Sequence, residues 1–487
     1  MAAELSREAG FLVAREIGSP AIVRSLSCFR VHMSKAPVTV IPIVDEGLGN
    51  SAYLIDLGDG QGMVIDPERN PRPYLAAAER LSLTVGWVVE THLHADFVSG
   101  GRELAARGAR LLAPAASGLR FDHTGVADGD EVDLGGLTMR VIATPGHTPE
   151  HCAYLLLDGA EPLALFSGGT LIVGGVARTD LISPEHTEAL ARAAYRSIKE
   201  RLLVLPDALP VYPTHGAGSF CSAALTGERT TTIGRERVSN PLLQAKDETD
   251  FVARLSADLG SYPVYFLRLR EVNQKGATVY GSSPPTLRAL RHDEVARLVE
   301  QGAEIVDLRP VSDFAGGHIP ASLSIQLRSQ FSTWLGWLVE PDRVLVFIGD
   351  PEREVPDAVT QCLNIGYENF GGYLAGGIAA WQRAGHPMKK IPLVSADQIP
   401  ATAAIVDVRQ RSEWESGHVE GALHLELGEV AELGTQLAGD LVLHCGHGQR
   451  SMTAASLLER AGRTEVAVTT ASADELVQAR GIDDRRS

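Results

Sequence analysis

The chain has 487 residues, of which 44% are hydrophobic and 22% charged, and a formal net charge of −17. This composition suits a globular protein of about three domains, and the negative balance excludes nucleic acid and anionic membranes, which are gripped through Lys and Arg. No apolar run approaches the ~20 residues that span a bilayer, and five scattered cysteines (Cys28, Cys152, Cys221, Cys362, Cys445) fit a reducing cytoplasm better than a disulfide framework. Residues 1–35 read as an N-terminal extension: Glu4, Glu8 and Glu16 interrupt any export or transit signal, and no function is assigned to the segment. Strands are predicted at VTVIPIV (38–44), NSAYLIDL (50–57), GMVIDP (62–67), VGWVVE (85–90), ARLLAP (109–114), LTMRVIAT (137–144) and CAYLLL (152–157). Helical patterns fall at PRPYLAAAERL (71–81) and HTEALARAAYRSIKERLL (186–203), and GATVYGSSPP (276–285) has the composition of a linker.

An internal repeat follows. IVDLRPVSDFAGGHIPASLSI (305–325) matches IVDVRQRSEWESGHVEGALHL (405–425) at an offset of 100, pairing Asp307 with Asp407, Arg309 with Arg409, Gly317 with Gly417 and His318 with His418. Two related α/β modules are therefore expected at 286–390 and 394–487, joined by IPLVS, where Ser395 and Gln398 suit a capping box.

The second module carries the clearest chemistry. LVLHCGHGQRS (441–451) puts Cys445 directly after a strand, in a loop of Gly446, His447, Gly448, Gln449 and Arg450 that opens a helix. Such a turn aims backbone N–H groups and a helix N-terminus at the loop centre, which favours a thiolate or persulfide. Cys445 is the expected nucleophile, the loop residues a substrate cradle, and Arg450 a fork of donors for an oxyanion or sulfur-bearing substrate. His447 is expected to shape the loop rather than transfer protons. In the first module, Ile348 aligns with Cys445 and has no nucleophile; Cys362 reads as a core residue. The CxxGxR loop with the VDVR…EW…GH pattern resembles the rhodanese family of sulfurtransferases over about 285–487. That resemblance implies one active and one inactive copy, with persulfide, thiosulfate and low-molecular-weight thiols as partners.

The N-terminal part offers metal ligands. THLHADFVSG (91–100) holds His92, His94 and Asp96; TPGHTPEHCAY (144–154) and VYPTHGAGSFC (211–221) add His147 and His215, each after a strand-like run and beside glycine. This order of motifs resembles the metallo-β-lactamase fold, nearest the glyoxalase II and persulfide dioxygenase branch, over roughly 36–280. The resemblance implies an αββα sandwich ahead of the two α/β modules. Two departures stand out: Phe97 ends a pattern that is HxHxDH in the family, and Gly169 replaces its bridging carboxylate. The expected centre is therefore at most one divalent ion, Fe(II) or zinc, held by His92, His94 and His147 with Asp96 and His215 nearby; the alternative is no metal, with His92, His94 and Asp96 hydrogen-bonding one another. Gly169→Asp is expected to raise iron affinity. Cys152 and Cys221 are expected to be packing residues, His151 to support the ligands, and Arg178 with Asp180 to form an ion pair. Arg268 and Arg270 are candidates for a thiol's carboxylates or a solvated face.

The function expected is sulfane-sulfur transfer, with the metallo-domain either an oxygenase or a binding platform. The competing reading is a zinc-dependent thioester hydrolase of the glyoxalase II type, with the α/β modules as sensors. The oligomeric state stays open.

Overall fold

A computed structural model describes residues 38–221, 227–257, 259–281 and 283–479. The expected extension at 1–35 lies outside the described residues. Strands β1 (Val40–Asp45), β2 (Asn50–Gly58), β3 (Gln61–Ile65), β4 (Thr84–Val89), β5 (Arg110–Pro114) and β6 (Thr124–Val126) pair in that order into one sheet, antiparallel up to β3 and parallel beyond it. Strands β7 (Glu131–Asp133), β8 (Thr138–Ala143), β9 (Cys152–Asp158), β10 (Glu161–Gly168), β11 (Pro210–Pro213) and β12 (Thr231–Thr232) form a second sheet in sequence order. Strand alternation builds the sandwich. Tyr53, Ile55, Met63, Ile65 and Val89 face Met139, Val141, Tyr154, Leu156 and Phe166 between the sheets, whereas Leu54, Val64 and Val88 point outward under the helix Arg72–Arg80. Helix Pro184–Arg196 covers the other sheet. This is the expected αββα arrangement. β10 was not foreseen: its run PLALF lacks a period of two because helices and the facing sheet cover both its sides.

Each C-terminal module has a parallel sheet. Strands β13 (Ala289–Leu290), β14 (Glu304–Asp307), β15 (Leu323–Ser324), β16 (Leu345–Ile348) and β17 (Phe370–Leu374) lie in the order β13-β17-β16-β14-β15. Strands β18 (Ala404–Asp407), β19 (Leu423–His424), β20 (Leu441–His444) and β21 (Val466–Val468) lie in the order β19-β18-β20-β21. The repeated residues make the same pins twice. Arg309 forks onto Asp307 and reaches the Gly317 carbonyl at 3.0 Å; Arg409 does the same with Asp407 and Gly417, at 2.8 Å. His318 lies flat on Phe314 and His418 on Trp414, with ring centroids 3.9 and 3.6 Å apart. The expected capping box at Ser395 and Gln398 is present.

The register corrects one expectation. Asp307 pairs with Ile348 and Asp407 with His444, so the counterpart of Cys445 is Gly349, not Ile348. The gap between the two copies shrinks from 100 residues at Asp307 and Asp407 to 96 at the loop, and only the strand pairing fixes where.

The sandwich and the first α/β module share one core. Phe97, Val98, Tyr265 and Leu269 of the sandwich join Phe331, Leu335, Ile365 and Tyr367 of the module. Val98 N–H donates to the Asn364 carbonyl at 2.6 Å, Asn364 Nδ2 to Glu68 at 3.0 Å, and Tyr265 Oη to the Asp96 carbonyl at 3.1 Å. The segment expected as a linker is tied down as well: Glu103 accepts from the N–H groups of Tyr280 and Gly281 at 2.7 and 3.0 Å.

Candidate functional sites

The histidines of the sandwich converge where the predicted motifs leave their strands. His92, His94, Asp96, His147 and His215 are each at most 2% exposed. Each histidine is held at one ring nitrogen. The Thr91 hydroxyl donates to Asp66 at 2.7 Å, so it accepts from His92 Nδ1, also at 2.7 Å. His94 Nε2 sits between Glu90 (3.2 Å) and Asp66 (3.3 Å). His147 Nδ1 donates to the Arg178 carbonyl at 2.6 Å, and His215 Nδ1 to Asn50 at 3.0 Å with Asp96 at 3.3 Å. That is the outer-shell pattern of metal-ligating imidazoles, in which one N–H is spent on a carboxylate or carbonyl and the other nitrogen is left for the ion.

The remaining nitrogens satisfy the chemistry of such a centre. His94 Nδ1, His147 Nε2 and Asp96 Oδ1 are buried without a hydrogen-bond partner, and orphaned buried acceptors are costly. His92 Nε2 and His215 Nε2 face each other at 3.3 Å, an approach of two lone pairs that a shared cation relieves. Three donor groups lie among the described residues, two of them sharing His215: His92, His94 and His215, and His147, His215 and Cys221; the third is Asp66, Glu90 and His94, with ligand atoms within 4.8 Å of one another in each. The residues present fit a divalent metal. The expected trio of His92, His94 and His147 is thus regrouped, with His215 common to the first two sets. The metal-free alternative fails in its stated form, because His92, His94 and Asp96 bond to Thr91, to Asp66 and Glu90, and to Asn50 and His215 instead.

Electrostatics follow burial and partners. Burial, reinforced by the neighbouring His215, pushes His147 down to about 3. Burial also opposes charge on His94, yet Asp66 and Glu90 outweigh it and hold it up at about 10, so a metal at Nδ1 would have to displace a proton there. Asp96 is held below the usual carboxylate range despite its burial, by His215 and Asn50.

Both departures now have a physical setting. Phe97 is fully buried in the core shared with the first module and stacks on His94, ring centroids 4.1 Å apart. A Cβ on Gly169 would stand 2.6 Å from His147 Cδ2. Gly169→Asp therefore cannot simply restore a carboxylate; the His147 ring already fills that space. The space beside His92 and His94, walled by Leu93, Phe121 and Asn273, amounts to about 20 Å³, room for roughly one water. His151 accepts from the Gly169 N–H at 3.0 Å and stacks on His92. Arg178 forks onto Asp180 at 2.7 and 2.8 Å, as expected. Arg270 forks onto Glu150, while Arg268 bonds the Ile365 and Gly366 carbonyls of the first module. Both arginines are half-buried and engage protein acceptors, although Arg268 Nε is buried without a partner.

At the other end of the chain, Cys445 follows β20 and is 2% exposed. Its Sγ lies 3.4 Å from Ser451 Oγ, in the first turn of the helix Gln449–Arg460. Gly448 caps that helix at φ +88°, and a Cβ there would stand 2.7 Å from Thr470 Cγ2, so glycine is required on both counts. Gly446 and Gln449 are half-buried, and His447 is exposed at the mouth of the loop. His444 Nε2 lies 3.3 Å from Asp407 Oδ2. Arg450 forks onto Glu413 and lies over Trp334 of the first module, 5.8 Å from its ring centre. The guanidinium expected to offer a fork of donors to substrate has its fork on Glu413. A residue missed in the sequence is Arg328 of the first module. It is half-buried, and its charge is felt with that of Arg450 and Cys445: burial and Arg450 push its pKa down while Cys445 draws it up. Only the docking of two modules 100 residues apart brings it there.

In the first module the corresponding loop runs Gly349 to Glu354. Asp350 Oδ1 accepts from the N–H groups of Glu352 and Arg353 at 2.9 and 3.2 Å, and Glu354 from Asp350 N–H at 2.7 Å. The cradle is filled by its own carboxylates. Cys362 is fully buried in the helix Glu354–Asn364, and Cys152 between the two sheets.

Comparison with known proteins agrees with this division. The rhodanese-like domain family matches residues 291–384 and 394–478. The human mitochondrial persulfide dioxygenase ETHE1 is 29% identical over 202 residues, covering 40% of this chain and 76% of that protein. The hydroxyacylglutathione hydrolase of Acidiphilium cryptum is 31% identical over 241 residues, covering 45% of this chain and 94% of the hydrolase. A metallo-β-lactamase from Staphylococcus aureus, solved by crystallography, superposes with a TM-score of 0.62 at 31% identity, covering 70% of this chain and 99% of its own. No helix among the described residues is long and apolar enough to cross a membrane. The chain belongs to the metallo-β-lactamase-fold family, in the company of hydroxyacylglutathione hydrolases and persulfide dioxygenases, and carries two rhodanese-like domains behind that fold.

Proposed function

We propose that the protein is a sulfurtransferase for sulfane sulfur, working at Cys445, with its metallo-β-lactamase-fold half acting as a closed metal-binding platform. The observation that carries this reading is the contrast in access and equipment. Cys445 sits beneath a loop whose Gly446 and Gln449 are half-buried and whose His447 is exposed, at a helix N-terminus and in the loop that leads to Arg450. The histidine cluster has room for about one water beside it.

The chemistry runs in two displacements. Cys445 thiolate attacks the outer sulfur of thiosulfate; the S–S bond breaks and sulfite leaves with its electron pair. The persulfide then rests in the loop, where backbone N–H groups and the helix N-terminus favour its negative charge. A low-molecular-weight thiolate attacks the outer sulfur, takes it as a persulfide and returns Cys445 as thiolate. Splitting transfer in this way is covalent catalysis. Arg450, held by Glu413, and Arg328 face the leaving sulfite. Gly349 leaves the first domain without a nucleophile, so that domain is inactive and serves to dock and to supply Arg328.

A divalent ion, zinc or Fe(II), would be held by the histidine cluster, and when bound it supplies Lewis acidity. Glu90, Asp66, Asn50 and Arg178 orient the imidazoles, and the buried walls keep bulk water out. Oxygenase activity is expected to be low, because Gly169 removes the carboxylate and Phe97 seals one side. The competing reading, a zinc-dependent thioester hydrolase, draws on the likeness to hydroxyacylglutathione hydrolases. The test is direct: thiosulfate-to-thiol transfer, oxygen uptake with glutathione persulfide, and thioester hydrolysis are measured on one zinc-loaded and one Fe(II)-loaded preparation. Transfer alone supports the proposal. Fast oxygen uptake or thioester cleavage that survives Cys445→Ser overturns it.

A further inference from the structure

The second donor group contains a thiol whose presence there the sequence reading does not explain. Cys221 is fully buried, and its Sγ lies within 4.8 Å of ligand nitrogens of both His147 and His215. Its backbone is fixed to the same support as the histidines. The Cys221 carbonyl accepts from the Arg178 N–H at 2.9 Å, the Arg178 carbonyl accepts from His147 Nδ1 at 2.6 Å, and the Cys221 N–H donates to Ser219 Oγ at 3.2 Å. Arg178 is itself locked by Asp180 and by the carbonyls of Phe220 and Gly260. Asp96 lies against Cys221. Two atoms around the thiol are buried and unpartnered, His147 Nε2 and Asp96 Oδ1. His147 Nε2 calls for a partner here independently of the thiol, while Asp96 has the Cys221 thiol against it.

We infer that Cys221 is a metal-ligating thiolate, and that with His147, His215 and Asp96 it forms a mixed nitrogen, sulfur and oxygen site for one divalent ion, zinc by ligand type. The thiol stands in for what Phe97 and Gly169 took away. Four such donors fill a tetrahedron, the arrangement of structural zinc, with no open position for water or substrate. A thiolate also favours zinc over the harder oxygen-seeking ions. On binding, the Cys221 S–H bond breaks, a metal–sulfur bond forms, and the proton leaves to solvent. The ion then stabilises the sandwich near the face on which the first rhodanese-like domain docks, because Asp96 and Phe97 belong to one short segment. This inference rests on reading the histidine cluster as a metal centre, and its failure can be told apart from failure of that reading.

The full chain, stripped by chelator, is reloaded with Co(II) as a spectroscopic probe. Expected are one Co(II) per chain, tetrahedral d–d bands, and a thiolate-to-cobalt charge-transfer band in the near ultraviolet. Cys221→Ser should lose that band and bind Co(II) at least about tenfold more weakly, with a far-ultraviolet circular dichroism spectrum like that of the parent. Cys445→Ser should keep the band. Co(II) bound without a thiolate band, or a band that survives Cys221→Ser, overturns the inference and leaves a nitrogen-ligated centre. No Co(II) bound at all overturns both. Should Cys221→Ser fail to fold, X-ray absorption on zinc-loaded Cys445→Ser decides: one sulfur at about 2.3 Å supports the site, and a shell of nitrogen and oxygen alone overturns it.

Discussion

The two rhodanese-like domains repeat the same pins and differ in what those pins hold. Arg309 on Asp307 and Arg409 on Asp407 close the same turn, and the flat histidine–aromatic stacks recur. In the second copy the loop beyond the turn is glycine-rich and open around a thiol. In the first it carries Asp350, Glu352 and Glu354, and Asp350 occupies the loop N–H groups that would cradle an anion. The freed surface of the first copy is spent on docking. Its helix Phe331–Leu338 and the turn after Asn364 join the core that contains Phe97. The first copy thus packs into the core of the sandwich and, through Trp334, lies against Arg450 of the second copy.

The largest expected effect separates the copies by nucleophile. Cys445→Ser should lower thiosulfate-to-thiol transfer by at least about a thousandfold. Gly349→Cys, the reciprocal change, should not create a second sulfur carrier. After thiosulfate treatment, mass spectrometry should find the labile sulfur on Cys445 alone; a stable extra sulfur at position 349 or on Cys362 would break the comparison. Next comes the cation. Arg450→Lys keeps the charge but loses the fork held by Glu413, and kcat/KM should fall about tenfold, which is ~1.4 kcal/mol.

A smaller effect tests whether the inactive copy serves the active one. Arg328→Ala lies in the first domain, yet it should raise KM for thiosulfate about threefold to tenfold with little change in kcat, as loss of ground-state binding does. An unchanged KM would reduce the first domain to a scaffold. The smallest effect is one of pH. At Asp307 burial prevails over its Arg309 partner and the carboxyl sits above the usual range; at Asp407 burial is outweighed by His444 and Arg409 and the carboxyl sits below it. A lowered folded pKa contributes stability that is complete above the unfolded value of about 3.9 and is lost as the pH falls through the folded value. A raised one does the opposite, favouring the fold in acid and losing that as the pH rises through the folded value. Asp407→Asn should therefore cost more stability at about pH 7 than in acid, by ~1 kcal/mol, while Asp307→Asn should cost less at pH 7 than in acid. The shift in urea midpoint measures both, and equal pH profiles would show that the two turns are electrostatically alike.

Much of this was legible in the chain itself. Short apolar runs bounded by turn residues, such as NSAYLIDL between Gly49 and Gly58, fell where expected, with one face against the other sheet and one against a helix. The Cys445 loop could be read because its chemistry is local: strand, two glycines, thiol and helix follow one another within a few residues. β10 was not read: its run is short, opens on Pro162, which argues against a strand, and shows no period of two. Gly349 was misplaced by one residue because register is set by pairing with β14, not by counting along the chain.

The amino-acid sequence by itself determined the division into a sandwich and two copies of an α/β module, the candidate nucleophile Cys445 in its loop, and the set of histidines that gather in the sandwich. Periodicity and local spacing carry that information. Only the tertiary structure decided which nitrogens remain free, that Cys221 stands among them, that Phe97 faces a docked domain, and that Trp334 of the first domain lies beside Arg450. Those facts depend on contacts between segments far apart in the chain, such as Asp96 with His215 or Arg178 with Cys221, whose geometry is settled by packing and hydrogen bonding across the whole fold.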